Sequence, residues 1–193
     1  MSKQDRLNEL YQEYRNEFEG EEIVLDWGNI DTRILLIGEA PGKDEVKLSK
    51  PFVGAAGKNL NKFLEAIGLI RDDIFVTNSI KYRLSKINPK SGRKINRPPT
   101  KDDIEKNKKY LLKEIEIISP EIIVTLGNVP LKMVSNDKSI SIGNVHGELM
   151  KVQILNREYS LYPLYHPASI LYNASLQDVY MEDVLKLKSI LEK

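Results

Sequence analysis

Cysteine is absent from this 193-residue chain. That excludes disulfides, thiolate zinc sites, cysteine nucleophiles and any iron–sulfur cluster held by cysteine. Histidine occurs only at positions 146 and 166, too few for a histidine-rich metal centre. No stretch approaches the roughly 20 consecutive apolar residues that a membrane-spanning helix needs. The opening residues Met1-Ser2-Lys3-Gln4-Asp5-Arg6 contain no apolar signal region, which makes a cytoplasmic location the expectation. Neither sign of charge dominates, since 29 basic and 28 acidic side chains leave a net charge of +1. What is present is an ordinary globular composition, 41% hydrophobic and 30% charged, in a chain long enough to bury a real core.

The charge is unevenly placed. Residues 81 to 109 hold eleven lysines and arginines against three acids, a local charge of +8, and the remainder carries −7. Such asymmetry fits a polyanion-binding face, and it equally fits a solvated loop followed by a charged helix face.

Hydrophobic periodicity predicts a first amphipathic helix over roughly residues 3–19, with Leu7, Leu10, Tyr11, Tyr14 and Phe18 on one face. Four short apolar runs then read as strands: Arg33–Ile37, Ile74–Thr77, Ile122–Leu126 and Leu161–Tyr165. Continuous rather than alternating runs indicate strands buried on both faces, as in parallel sheets. Helical patterns separate and follow them. The expected fold is therefore α/β, a three-layer α/β/α sandwich around a mostly parallel four-stranded sheet. Residues 1–193 read as one domain, with an N-terminal helix and lead-in over 1–30 and a basic inserted loop over 84–99. Nothing suggests an obligate dimer, so a monomer is expected.

Polar groups follow each strand closely: Gly38-Glu39-Ala40-Pro41-Gly42, then Asn78, then Gly127-Asn128, then His166-Pro167. Open α/β sheets bind ligands outside the carboxyl ends of their strands. An asparagine there offers a donor and an acceptor for a base edge, and a histidine there suits a functional role. The stretch Gly54-Ala55-Ala56-Gly57-Lys58-Asn59 lacks the first glycine and the Ser/Thr of a phosphate loop, with Phe52 and Asn59 in their places. Glu39, Asp44 and Glu45 could hold Mg²⁺. With no second acidic cluster at the other strand ends, they read as loop and capping carboxylates, and no metal is expected. His146, in a turn-like stretch, reads as structural.

Taken in order, Gly38–Gly42, Pro51–Gly57, Thr77–Arg83, Asn96–Thr100, Thr125–Gly127 and Tyr165–Leu171 resemble the uracil-DNA glycosylase superfamily, in particular its iron–sulfur type, family 4. The resemblance implies an enzyme that flips uracil out of DNA and hydrolyses its N-glycosidic bond, leaving an abasic site. It implies that Phe52 stacks on the base, Asn78 bonds its N3/O4 edge, and His166 sits near O2 to stabilise the leaving anion. The loop of Gly38, Glu39, Ala40 and Gly42 would contact the base and position water, with Glu39 the nearest candidate to activate it. Ser169, Ile170, Leu171 and Tyr172 match the loop that enters the minor groove. Lys81, Arg83 and Arg97 become candidate DNA contacts, and Lys86, Lys90, Arg93 and Lys94 would make the basic loop a further DNA-contact element.

Three departures stand out. The family's cluster cysteines are missing: Tyr82 and Asn107 occupy two of those positions, and the N-terminal pair has no counterpart among residues 11–18. No cofactor is expected, and tyrosine packing or the N-terminal helix is expected to replace the cluster's clamp. Ala40 stands where better-known uracil glycosylases carry a water-activating aspartate, and Gly42 where they carry a tyrosine that blocks thymine's methyl. Thymine exclusion then falls to another side chain or to loop geometry. Two other readings stay open: a catalytically degenerate DNA-binding protein of this fold, and a metal-dependent nuclease or phosphoesterase using Glu39, Asp44 and Glu45.

Overall fold

The computed structural model describes residues 1–172 and 175–192, with backbone alone at 55, 56, 171 and 172. Six strands build the main sheet: β1 (Trp27–Gly28), β2 (Ile34–Gly38), β3 (Phe75–Asn78), β6 (Ile122–Leu126), β7 (Met150–Ile154) and β8 (Arg157–Leu164). Two more, β4 (Ser85–Ile87) and β5 (Lys94–Asn96), pair only with each other. The sheet order is β1-β3-β2-β6-β8-β7, in which the central four strands run parallel and β1 and β7 add antiparallel edges. Two edge strands thus extend the expected four. β7 alternates buried and exposed residues, and β1 is only two residues long, so neither produces a continuous apolar run.

Helices cover both faces: α1 (Lys3–Glu17), α2 (Lys43–Leu48), α3 (Ala55–Ile67), α4 (Lys101–Ile118), α5 (Asn128–Ser135), α6 (Ile142–Val145), α7 (Pro167–Tyr172) and α8 (Ser175–Leu191). The strand side chains alternate between two cores. Leu35, Ile37, Phe75, Ile123 and Leu161 pack with α1, α4 and α5, while Leu36, Val76, Val124, Tyr162 and Leu164 pack with α3 and α8. Each fully buried side chain of this size contributes about 1.5–3 kcal/mol relative to exposure. That two-sided demand explains why apolar residues run consecutively along these strands rather than alternating with polar ones.

Local signals set the helix starts. At α1, Ser2 Oγ accepts from the Asp5 amide and the Asp5 carboxylate accepts from the Ser2 amide. At α4, Thr100 and Asp103 repeat the exchange just after Pro98-Pro99. Reciprocal capping of this kind satisfies amides that a helix start leaves free.

The segment read as a loop over 84–99 is a β-hairpin. Ser85 pairs with Asn96 and Ile87 with Lys94, and the turn closes through the Asn88 amide donating to the Arg93 carbonyl. Lys86, Lys90 and Arg93 lie exposed on it, as does Ile87 at 62%. Lys94 is held by Glu22 at 2.6 Å.

Candidate functional site

Register places the four strand ends level. Gly38 pairs with Asn78 across β2 and β3, Leu126 with Leu164 across β6 and β8, and the Gly127 amide donates to the Leu164 carbonyl. The Ser79 amide and hydroxyl both donate to the Gly38 carbonyl at 2.8 Å, locking the first two ends together. Beside this edge lies a cavity of about 200 Å³ lined by Ala40, Pro41, Gly42, Glu45, Phe52, Asn78, Asn96 and His166.

Phe52 enters the cavity from the loop before α3. Its φ is +53°, a left-handed conformation that is strained for a bulky residue and persists only when the surroundings over-determine it. They do so here. Arg71 Nη2 donates to the Phe52 carbonyl at 2.5 Å and to the Gly57 carbonyl at 3.1 Å, and Nη1 donates to the Pro51 carbonyl at 3.3 Å. A Cβ on Gly57 would collide with the Phe52 carbonyl, and one on Gly38 would overlap the Phe52 ring and the Asn78 amide oxygen. These two glycines allow the ring and the amide to share one wall.

Glu45 is the clamp between the two loops. One carboxylate oxygen accepts from the Gly42 amide at 3.1 Å, the other from the Val53 and Gly54 amides at 3.1 and 2.9 Å. Such a carboxylate is occupied with holding backbone, which takes it out of the acidic trio that could hold Mg²⁺. No group of three or more His, Asp or Glu able to hold a metal occurs among the described residues. Glu39 is half-buried at the end of β2, where burial pushes its carboxyl above the ordinary range, and it does not line the cavity.

His166 follows β8 and precedes α7. Its Nδ1 lies 3.1 Å from the Ala168 amide, which can only donate. Nδ1 therefore accepts, and the neutral ring carries its proton on Nε2. Burial lowers the imidazole pKa below the ordinary histidine value, favouring that neutral form. The ring stands 6.4 Å from Phe52 between centroids. His146, by contrast, pairs with Asp183 at 2.7 Å away from the cavity.

Two basic residues expected to contact DNA are buried instead. Lys81 is 1% exposed and Glu114 is 0% exposed. The Lys81 ammonium donates to Glu114 at 2.7 Å, to Thr77 Oγ1 at 2.6 Å and to the Asn78 carbonyl at 3.1 Å. All three donors are thereby used inside the fold, and Lys81 braces the peptide of Asn78. Arg83, 8% exposed, donates from Nε to Asn96 Oδ1 at 3.1 Å. Arg97 is half-buried against Asp103. Ser169 is exposed, Ile170 is half-buried against the α3/α8 core, and the side chains of Leu171 and Tyr172 and all of Asn173 lie outside the described residues.

The positions of the missing cluster cysteines do not fit a cluster. Tyr82 and Asn107 offer no thiolate and are spent on each other and on Asp103: the Tyr82 hydroxyl donates to Asp103 at 2.8 Å, and Asn107 Nδ2 donates to the Asp103 carbonyl at 2.8 Å. Tyr14 of α1 donates to Asn107 and accepts from the Lys81 amide. Tyr14, Phe18, Tyr82 and Tyr110 form a cluster of tilted and edge-on rings with centroids 4.5–6.1 Å apart, joining α1, residue 82 and α4. Burial would raise the Asp103 carboxyl, but the bonds from Arg97, Thr100 and Tyr82 outweigh it and hold its pKa well below the usual range.

Asn96, at the root of the hairpin, lines the cavity although sequence reasoning gave it no role. The signal was available, because it opens the Asn96–Thr100 motif, but a loop over 84–99 carries no information on what its root faces. Glu45 reads in the sequence as one of three loop and capping carboxylates, without the second loop that it also holds.

Known proteins resemble this chain in sequence over most of its length. The family model described as "Uracil DNA glycosylase superfamily" covers residues 25–187. A type-4 uracil-DNA glycosylase of Saccharolobus solfataricus is 40% identical over 168 residues, 85% of this chain and 74% of that protein. One from Archaeoglobus fulgidus is 36% identical over 169 residues, 86% of this chain and 80% of that protein. A DNA polymerase of Bacillus phage SP01 is 32% identical over 166 residues, 86% of this chain but 16% of the polymerase. A match of that extent, on the strands and loops that build the cavity, makes this chain a member of the uracil DNA glycosylase superfamily.

Proposed function

We propose that the protein removes uracil from DNA, hydrolysing the bond between N1 of the base and C1′ of the sugar. The observation that carries the reading is the convergence of Phe52, Asn78 and His166 on one small cavity at the strand ends. At about 200 Å³ the cavity is smaller than the roughly 300–1,000 Å³ sites that take larger ligands. That size suits one heterocyclic ring.

The chemistry follows from the parts. A base inside a duplex is unreachable and must be flipped into a pocket. Phe52 offers the stacking face. Asn78, whose peptide Lys81 fixes, offers an amide whose oxygen accepts from N3–H and whose nitrogen donates to O4. Cytosine presents the opposite pattern at these two positions and leaves both amide groups mispaired. As the C1′–N1 bond breaks, its electron pair passes to the base and spreads onto O2. The neutral Nε2–H of His166 is a fixed donor for that oxygen, and water supplies the new C1′–O bond. The proton lost by the water balances the base anion, so the products are free uracil and an abasic sugar. No residue lining the cavity is an evident base for the water, and Glu39 stands nearest in sequence without reaching the lining. The type-4 relatives support the same reaction for this chain.

DNA is the proposed partner, and the basic hairpin a docking element for it. Reversing the charges of Lys86, Lys90 and Arg93 together is expected to weaken DNA binding. It should also lower the slope of log affinity against log salt by about 0.9 for each phosphate that is no longer neutralised. Titration at several salt concentrations checks this, and an unchanged slope removes the hairpin from the interface.

The function itself is tested by excision from a labelled oligonucleotide bearing one uracil, with EDTA present and alkali added to cut abasic sites. Scission only after alkali, abolished in Asn78→Ala and His166→Ala, supports the reading. DNA binding without any base release would make the protein a non-catalytic reader of DNA.

A further inference from the structure

Asn96 is the second asparagine of the cavity, and the mechanism above does not use it. It ends β5, so it reaches the site from the hairpin rather than from the main sheet. Its amide is oriented from behind. Arg83 Nε donates to Oδ1 at 3.1 Å, and Arg83 is itself nearly buried, with its own amide bound to the Glu22 carbonyl. With Oδ1 turned to Arg83, Nδ2 is the amide atom on the Gly42 side. It faces Gly42, where a Cβ would lie 3.7 Å from it.

The perimeter of a pyrimidine decides what this wall meets. N1 points out to the sugar. In the proposed site His166 takes O2 and Asn78 takes N3 and O4, which leaves the C5–C6 edge. The remaining lining residues are Ala40, Pro41, Gly42, Glu45 and Asn96. Ala40 and Gly42 present little side chain, Pro41 presents a small ring fixed to the backbone, and both oxygens of Glu45 are held by backbone amides. Of the two polar side chains among them, Asn96 is the one that can be truncated without releasing the Gly42 and Phe52 loops that Glu45 ties together.

We infer that Asn96, held by Arg83, is the specificity residue that walls the C5 edge and excludes bases with a 5-methyl group. The inference rests on the reading of the cavity as a uracil site. A single methyl against a fitted wall is worth about 10–200-fold in discrimination.

The test compares single-turnover release of uracil, 5-fluorouracil and thymine, each opposite guanine, by the full chain, Asn96→Ala and Arg83→Met. Thermal melting and DNA affinity confirm that each variant is folded. The wild type is expected to release uracil and 5-fluorouracil far faster than thymine. In Asn96→Ala the thymine-to-uracil ratio is expected to rise at least tenfold, whatever the loss in the uracil rate. Arg83→Met is expected to move the ratio the same way by less. A purely structural role would lower all three rates together and leave the ratio unchanged, which overturns the inference. If the wild type releases no uracil, the site reading itself fails, and this inference with it.

Discussion

Replacing His166 with alanine is expected to slow uracil release by about 10²–10³, the usual cost of deleting one fixed donor to a developing oxyanion. The loss should fall on kcat more than on KM, because negative charge reaches O2 only as the glycosidic bond breaks. Rapid-quench measurement of the chemical step reads this directly. A comparable loss confined to KM would assign His166 to ground-state binding instead. The acceptor role of Nδ1 adds a pH signature. A second proton on the ring would place Nδ1–H against the Ala168 amide, and burial already lowers the pKa. The rate is therefore expected to be level through neutral pH and to change only on the acid side of the ordinary histidine value, about 6.5. Stability carries the same sign. The folded protein binds this proton less readily than the unfolded chain, so the contribution is full above the unfolded pKa. It declines as pH falls through the lowered folded one.

Glu114→Ala is expected to be the most damaging change outside the cavity, costing about 3–5 kcal/mol. It leaves the Lys81 ammonium buried without its carboxylate and strips partners from the Tyr11 and Thr77 hydroxyls. A domain has only about 5–15 kcal/mol to lose. Lys81→Met should cost less, because burial already favours the neutral form of Glu114, which can take up a proton. Chemical denaturation of both single variants and the double variant measures the coupling. The double variant should be clearly more stable than the sum of the two losses. Strict additivity would show that the two charges do not depend on each other.

The central sheet was readable because each strand had to satisfy two cores. Ile122–Leu126 is buried at every position, and its sequence is apolar or small at every position. β7 and the hairpin escaped for the opposite reason. Their exposed residues carry no such demand, and the proline, glycine and lysines of 84–99 describe a loop as well as a turn between short strands. That Phe52, Asn78 and His166 would meet at one edge was legible because their motifs sit at or beside the strand ends. Lys81 and Arg83 look like DNA contacts in the sequence because charge is visible there and its burial is not. The partner that neutralises Lys81 lies 33 residues away on α4. The sequence also shows Glu45 as one acid among three, and only the folded loops reveal three amides waiting for it.

The clustered rings of Tyr14, Phe18, Tyr82 and Tyr110 have a bearing on how the protein comes into being. A seam closed by cysteine-held iron would need metal delivery and reducing conditions before the N-terminal helix could be tied down. Here α1, residue 82 and α4 are joined by hydrocarbon and phenol groups that the ribosome supplies complete. The seam can close as soon as residue 110 has emerged, without iron, sulfide or an assembly factor. An oxidant that dismantles cysteine-held clusters finds no thiolate there to attack.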